Sequence, residues 1–319
     1  VNFNLSGLNP ILSDLTFRTS PANADSSNFT FSLLPSNSAQ VGGLYDISVS
    51  FLSIGWIAAI LTILVGLPQL VYIIRTKNVK GMSLPSFWSF FVSLIFFSLL
   101  GLLLINDQLA YTEFIAAVVF GIQMVFIIKY WTFKTHNKIK KIVAYAFSAL
   151  FVVINMIFMI LHIERVLGVN VADIPTSVAD FRQFVSIVGP IISMLSFLPQ
   201  TIKGIRTKQL YHLPFSFVFV LAAFNGLWIV SWLLNVGYYA NLTNYWHNPG
   251  LVDGFKNNVL NEIPNYSFDS VLATKLDGFH DSMTTYIINT VFQIVGFSVS
   301  ATQIFFWARQ VKGKKIIWF

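Results

Sequence analysis

"VGLPQLVYIIRTK" (65–77) sets a proline beside a glutamine inside an apolar run and closes on two basic residues. Pro68 has no backbone N–H to donate, and Gln69 carries an amide that hydrocarbon cannot satisfy. The arrangement returns in "LPQTIKGIRTK" (198–208). Pro68-Gln69 becomes Pro199-Gln200 and Arg75-Thr76-Lys77 becomes Arg206-Thr207-Lys208, both at one and the same offset along the chain. Seven of the eleven positions from Leu67 to Lys77 are identical at that offset. Holding the pair and the basic triplet in one register is the mark of an internal duplication.

Around these two stretches the 319 residues are 55% hydrophobic and only 10% charged. Soluble chains carry about 25% charged residues, so this is the composition of a polytopic membrane protein. Apolar runs near the roughly 20 residues needed to cross a bilayer fall at 50–74, 84–105, 109–129, 142–161, 184–203, 214–236 and 284–308. The expected fold is all-α, with seven transmembrane helices. The net charge of +7 then reads as topology before it reads as nucleic-acid affinity. Fifteen of the 20 basic residues flank the runs on one side, and twelve of the 13 acidic residues lie on the other. The positive-inside bias puts the N-terminus outside (or in a lumen) and the C-terminus in the cytoplasm.

Several function classes drop out. There is no cysteine, which removes disulfides, thiol nucleophiles and thiolate metal sites. No metal-ligand spacing, phosphate-binding glycine loop or nucleophile–base arrangement appears, so no catalytic residue, metal or cofactor is expected and nothing powers ATP-driven transport. The basic loop "KTHNKIKK" (134–141) suits anionic headgroups of the lipid bilayer rather than nucleic acid. His162 and His212 are expected to be solvated at helix ends. Residues 1–48 read as a loosely ordered extracytoplasmic segment, and 237–283 as a long outer connection, either a small cap or a disordered loop.

The two repeats resemble the PQ-loop family, the superfamily of SWEET sugar transporters, bacterial SemiSWEETs and cystinosin-like amino-acid exporters. "TKNVKGMS" (76–83) resembles that family's inner loop and turn, whereas "TKQLYHLP" (207–214) keeps only its Thr-Lys. The resemblance implies two parallel three-helix repeats, at 49–131 and 184–311. Between them lie a basic loop with a linker helix (132–163) and an outer loop (164–183), and a cytoplasmic tail (312–319) follows. It also implies alternating access, with substrate held near the midplane. Pro68, Gln69, Pro199 and Gln200 become hinge positions, and Lys77 and Lys208 shape the inner gate.

The family's aromatic position on the second helix falls on Phe97 and Trp228, each at the same spacing beyond its Pro. An aromatic face suits a sugar ring, and Asn225, one turn from Trp228, offers an amide for its hydroxyls. Ordinary packing within a span is the competing reading of Trp228. On the third helix, aligning "IQMVF" (122–126) with "TQIFF" (302–306) pairs Glu113 with Gln293, one turn from Asn289. The family's Asn is thus missing at both positions. An intramembrane carboxylate is expensive and usually functional, so Glu113 points to proton exchange, unless it snorkels to the outer surface. The resulting expectation is a secondary transporter of a small polar solute, a sugar first. A proton-coupled amino-acid or metabolite transporter is the alternative. A non-transporting receptor on the same scaffold is the alternative of another class, and a homo-oligomer stays open.

Overall fold

The structure is a computed structural model that describes residues 16–18, 30–32, 38–79, 82–104, 106–131, 138–164, 166, 176–262, 268–314 and 316–318. Most of the N-terminal segment, residues 134–137 of the basic loop (His136 among them), and Lys80-Gly81 of the first turn lie outside the described residues, while 138–141 of that loop open a helix. The elements are two short antiparallel strands, β1 (Thr16–Arg18) and β2 (Thr30–Ser32), followed by nine α-helices among the described residues. These are α1 (Ser38–Thr76), α2 (Leu84–Leu103), α3 (Asp107–Tyr130), α4 (Lys138–Ile163), α5 (Thr176–Ser196), α6 (Leu198–Arg206), α7 (Phe215–Trp246), α8 (Pro249–Glu262) and α9 (Phe268–Val311).

Seven stretches are long and apolar enough to cross a membrane, α5 and α6 counting together as one. The protein is therefore a seven-helix, all-α, multi-pass membrane protein. Two compact units share the chain: Val1–Leu52 with Leu234–Tyr286, and Ser53–Leu233 with Ile287–Phe319.

The first unit decides between the two forms expected for residues 237–283, a small cap or a disordered loop: much of the stretch is helical, in the last part of α7, in α8 and in the first part of α9. Tyr238, Leu242, Tyr245, Trp246, Phe268 and Phe279 form its core, with Phe51 edge-on to Tyr238 at 5.3 Å. The run between Trp246 and Phe268 is too polar to register as a span, and its Asn, Gly and Pro residues mimic a loop.

In the second unit α2 packs against α3, α4, α5 and α6. Phenylalanines fill the centre. Phe90 lies 4.7 Å from Phe120 and 5.1 Å from Phe197. Helix α4 is built inside out, as a lipid-facing helix should be. Its buried residues are the polar Ser148, Asn155 and His162, seven apart, while Ile142, Leu150, Val153, Ile157 and Ile160 are exposed. His162 is thus not solvated. It is 2% exposed, and its Nε2 lies 2.7 Å from an Asp107 carboxylate oxygen in the first turn of α3. The turn joining α2 to α3 is tight. Asn106 caps α3 by accepting from the Leu109 N–H at 3.0 Å, and a Cβ at Gly101 would meet the Ala110 nitrogen at 2.7 Å.

The duplicated motif has one half that matches and one that diverges. At both copies the helix ends in the same way. Lys77 (φ 53°) and Lys208 (φ 52°) are the two non-glycine residues with positive φ among those described. The threonine before each donates its hydroxyl to the carbonyl four residues back, Thr76 to Tyr72 and Thr207 to Lys203, both at 2.8 Å. Thr-Lys is therefore a helix-end device in each repeat, with the lysine in the left-handed position usually given to glycine. A left-handed L-residue costs roughly 1–2 kcal/mol, less the entropy that glycine loses. Lys77→Gly and Lys208→Gly are each expected to stabilise the protein by about 1 kcal/mol, read as a raised Tm in detergent. A lowered Tm would mean that the lysine side chains themselves hold the ends.

The prolines diverge. Pro68 is buried inside the unbroken α1, whereas Pro199 follows a break at Phe197 and sits in the first turn of α6. There its missing N–H costs nothing, so it needs no protein partner, and it is exposed. The two hinge positions are therefore unlike, one buried within a continuous helix and the other exposed at the start of one. At the break the Gln200 N–H, in the first turn of α6, donates to Ser86 Oγ on α2 at 2.9 Å, a contact between the two repeats.

Candidate functional site

A narrow cavity lies within the second unit, between helices of both repeats. Thr62 on α1 and Trp228 on α7 both line it. At 1.5 Å per residue Thr62 stands about 20 Å from Arg75 and Trp228 about 20 Å from the start of α7, each near the middle of its apolar span.

Its lining follows the duplication. Thr62 and Ser193, Ser93 and Phe224, and Phe97 and Trp228 are pairs at the offset that relates the two Pro-Gln motifs, and Glu113 and Gln293 are the pair aligned on the third helices. All eight line the cavity, joined by Phe90 and Trp232 among others. Trp228 is fixed from two sides. It stacks on Trp232 with ring centres 4.6 Å apart and planes at 23°, and its indole N–H donates to Thr62 Oγ1 at 3.1 Å. Thr62 passes its own proton to the Ala58 carbonyl at 3.1 Å.

Glu113 does not snorkel. It is 3% exposed, and its Oε2 has no hydrogen-bond partner. No basic side chain lines the cavity, so the carboxyl group faces aromatic rings and hydroxyls. The free space is about 10 Å³, the least that holds a single water. As it stands the cavity is too small for a solute larger than water.

Of the residues proposed from sequence, Phe97, Glu113, Trp228 and Gln293 meet here. Asn225 and Asn289 are buried but are not among the lining residues. The Asn225 amide is committed elsewhere. Its Nδ2 donates to Ser300 Oγ at 3.0 Å and to the Leu221 carbonyl at 2.6 Å, and its Oδ1 accepts from Gln293 Nε2 at 2.8 Å. It supports Gln293 instead of facing the cavity beside Trp228.

Gln69 and Gln200 are fully buried away from the cavity lining, while Lys77 and Lys208 are exposed at their helix ends. Sequence reasoning passed over Thr62 and Ser193, although both carry hydroxyls in the duplicated register. It also used Gln123 and Gln303 only to align the third helices. Both are 0% exposed, and neither amide has a partner.

No curated protein and no solved structure matches the chain. Residues 51–109, which include Pro68-Gln69, nearly all of the first two spans and only the first three residues of the third, match the family model described as the PQ loop repeat. With its seven apolar helices the chain is a multi-pass membrane protein, and the stretch 51–109 within it is similar to the PQ loop repeat.

Proposed function

We propose that the protein is a secondary transporter that carries a small polar solute across its membrane by alternating access around the cavity at Trp228 and Glu113. One observation supports this most. The cavity takes its lining from matched positions of two copies of one helix unit, the arrangement expected where two repeats move about a shared site. In this reading the triplets at 49–131 and 184–311 run in the same sense around the linker helix. The basic ends lie in the cytoplasm and the N-terminus outside. A sugar is the first solute. The stacked pair Trp228–Trp232 offers a flat apolar face, and Thr62, Ser93 and Ser193 offer hydroxyls beside it. Since the cavity now holds about one water, a sugar enters only after the halves open.

Glu113 favours a second reading, in which an amino acid or other metabolite moves with a proton. The test is uptake of labelled hexoses and amino acids by purified protein in proteoliposomes. It is preceded by a thermal-shift screen, since a ligand at 100 times its Kd stabilises by about 2.7 kcal/mol. Saturable flux of one solute class is expected. A folded protein that moves neither class points instead to a receptor.

A further inference from the structure

The cavity is closed, yet one wall continues as a polar seam. On α9 the buried positions Gln293, Gly296, Ser300, Gln303 and Trp307 recur at intervals of three and four, one face of the helix. Between them Ile294, Val295, Phe297 and Phe305 are exposed. Ser298 and Thr302 are exposed too, but each hydroxyl donates to the carbonyl four residues back, whereas the hidden amides need partners from elsewhere.

The first of them find partners. Gln293, which lines the cavity, donates to Asn225, and Asn225 donates to Ser300, an unbroken chain of 2.8 and 3.0 Å. One turn further the chain stops. Gln303 and Gln200 are both 0% exposed, and all four of their amide atoms lack a hydrogen-bond partner. The seam resumes at Gln310, whose amide holds the Leu210 N–H at 2.8 Å and the Gly204 carbonyl at 3.2 Å at the basic end. From Gln293 to Gln303 the helix rises about 15 Å.

The other repeat does not offer this face. At the aligned positions stand Glu113, Ala116, Phe120, Gln123 and Ile127, so between its two polar ends the wall is apolar. The orphaned pair itself recurs there, since Gln69 and Gln123, at the positions of Gln200 and Gln303, are also 0% exposed with no partner for either amide; only the polar run that joins the pair to the cavity is one-sided.

We infer that the seam on α9 is the aqueous route from the cavity to the basic end, and that Gln200 and Gln303 form a second subsite along it. The subsite takes neutral hydrogen-bonding groups, water or a solute's hydroxyl or amide. A primary amide donates and accepts but brings no charge, and no titratable side chain is seated on the seam between Gln293 and Gln310. In this structure the four amide atoms wait for such a partner. Their use in solute passage rests on the transporter reading. Their access to water does not.

The absence of cysteine supplies the test. Single variants Ser300→Cys and Gln303→Cys are treated, in nanodiscs open to solution on both faces, with a charged methanethiosulfonate that reacts only with a hydrated thiolate. Lys312→Cys marks full exposure. Ala116→Cys and Ile127→Cys bracket the matching depth of the other repeat, and Ile294→Cys faces lipid.

The seam cysteines should label within about tenfold of Lys312→Cys, and the three controls at least about a hundredfold more slowly. Adding Gln200→Leu and Gln303→Leu to Ser300→Cys should slow its labelling towards the controls. Should Gln303→Cys fail to fold, Ser300→Cys carries the test with a one-atom change. Seam cysteines as inert as Ala116→Cys overturn the inference. Solute flux with an inert seam leaves the transporter and removes the route, and a labelled seam without flux does the reverse.

Discussion

Trp228→Ala is expected to reduce solute flux in proteoliposomes to the leak of protein-free liposomes and to lower stability by about 3–5 kcal/mol. The stability loss follows from packing. Trp228 is 4% exposed and stacked on Trp232, so truncation removes a large buried ring and leaves a void that neighbouring helices fill only in part. The flux loss follows from position, since the ring stands at the cavity in the register of Phe97.

Trp228→Phe separates the two effects. It keeps an aromatic face but deletes the N–H that reaches Thr62. Thr62 still donates to Ala58, so the loss is one net hydrogen bond, about 1 kcal/mol. Its flux should persist with a raised KM. Undiminished flux in a folded Trp228→Ala protein would place the solute elsewhere, whatever the change in Tm.

The cavity was legible because duplication writes its register into the sequence. Counting the same distance from each Pro reached Phe97 and Trp228, and the third-helix alignment reached Glu113 and Gln293. Thr62 and Ser193 follow the same offset, so the information was present and only the habit of favouring large side chains hid it.

What stayed illegible depends on which way a polar group turns. Asn225 shares a helix face with Trp228, yet its amide bonds Ser300 and Gln293, and spacing alone does not tell a lining amide from a supporting one. His162 stands at the end of its span, but Asp107 of α3 draws it inside, a partner far off in sequence. Two identical Pro-Gln pairs gave one continuous helix and one broken helix, and the pair itself does not tell which. The seven membrane crossings were plain from hydropathy. The helical part of 237–283 was not, because a helix that packs in polar surroundings has no need of an apolar run.

Glu113→Gln is expected to uncouple the protein from protons without unfolding it. The carboxyl group is 3% exposed, lacks a partner for Oε2 and has no basic side chain beside it in the cavity. Its ionised form would be an uncompensated buried charge, which is strongly unfavourable. In the transporter reading Glu113 therefore passes through the occluded state with its proton and releases it only when one half opens to water. Proton and solute then move together. At one proton per solute, a gradient of one pH unit supports about tenfold accumulation of solute on the alkaline side.

The Gln side chain copies the shape and hydrogen bonding of the neutral acid but carries no proton to release. Glu113→Gln should fold with nearly unchanged Tm and exchange solute across membranes at equal pH. Under the gradient it should reach only equal concentrations. If the variant accumulates solute as fully as the parent, the proton travels by another group and Glu113 is a packing residue. If the parent itself never accumulates solute, the protein is an equilibrative carrier, and the carboxyl group then serves as a hydrogen-bond donor to the solute beside Trp228.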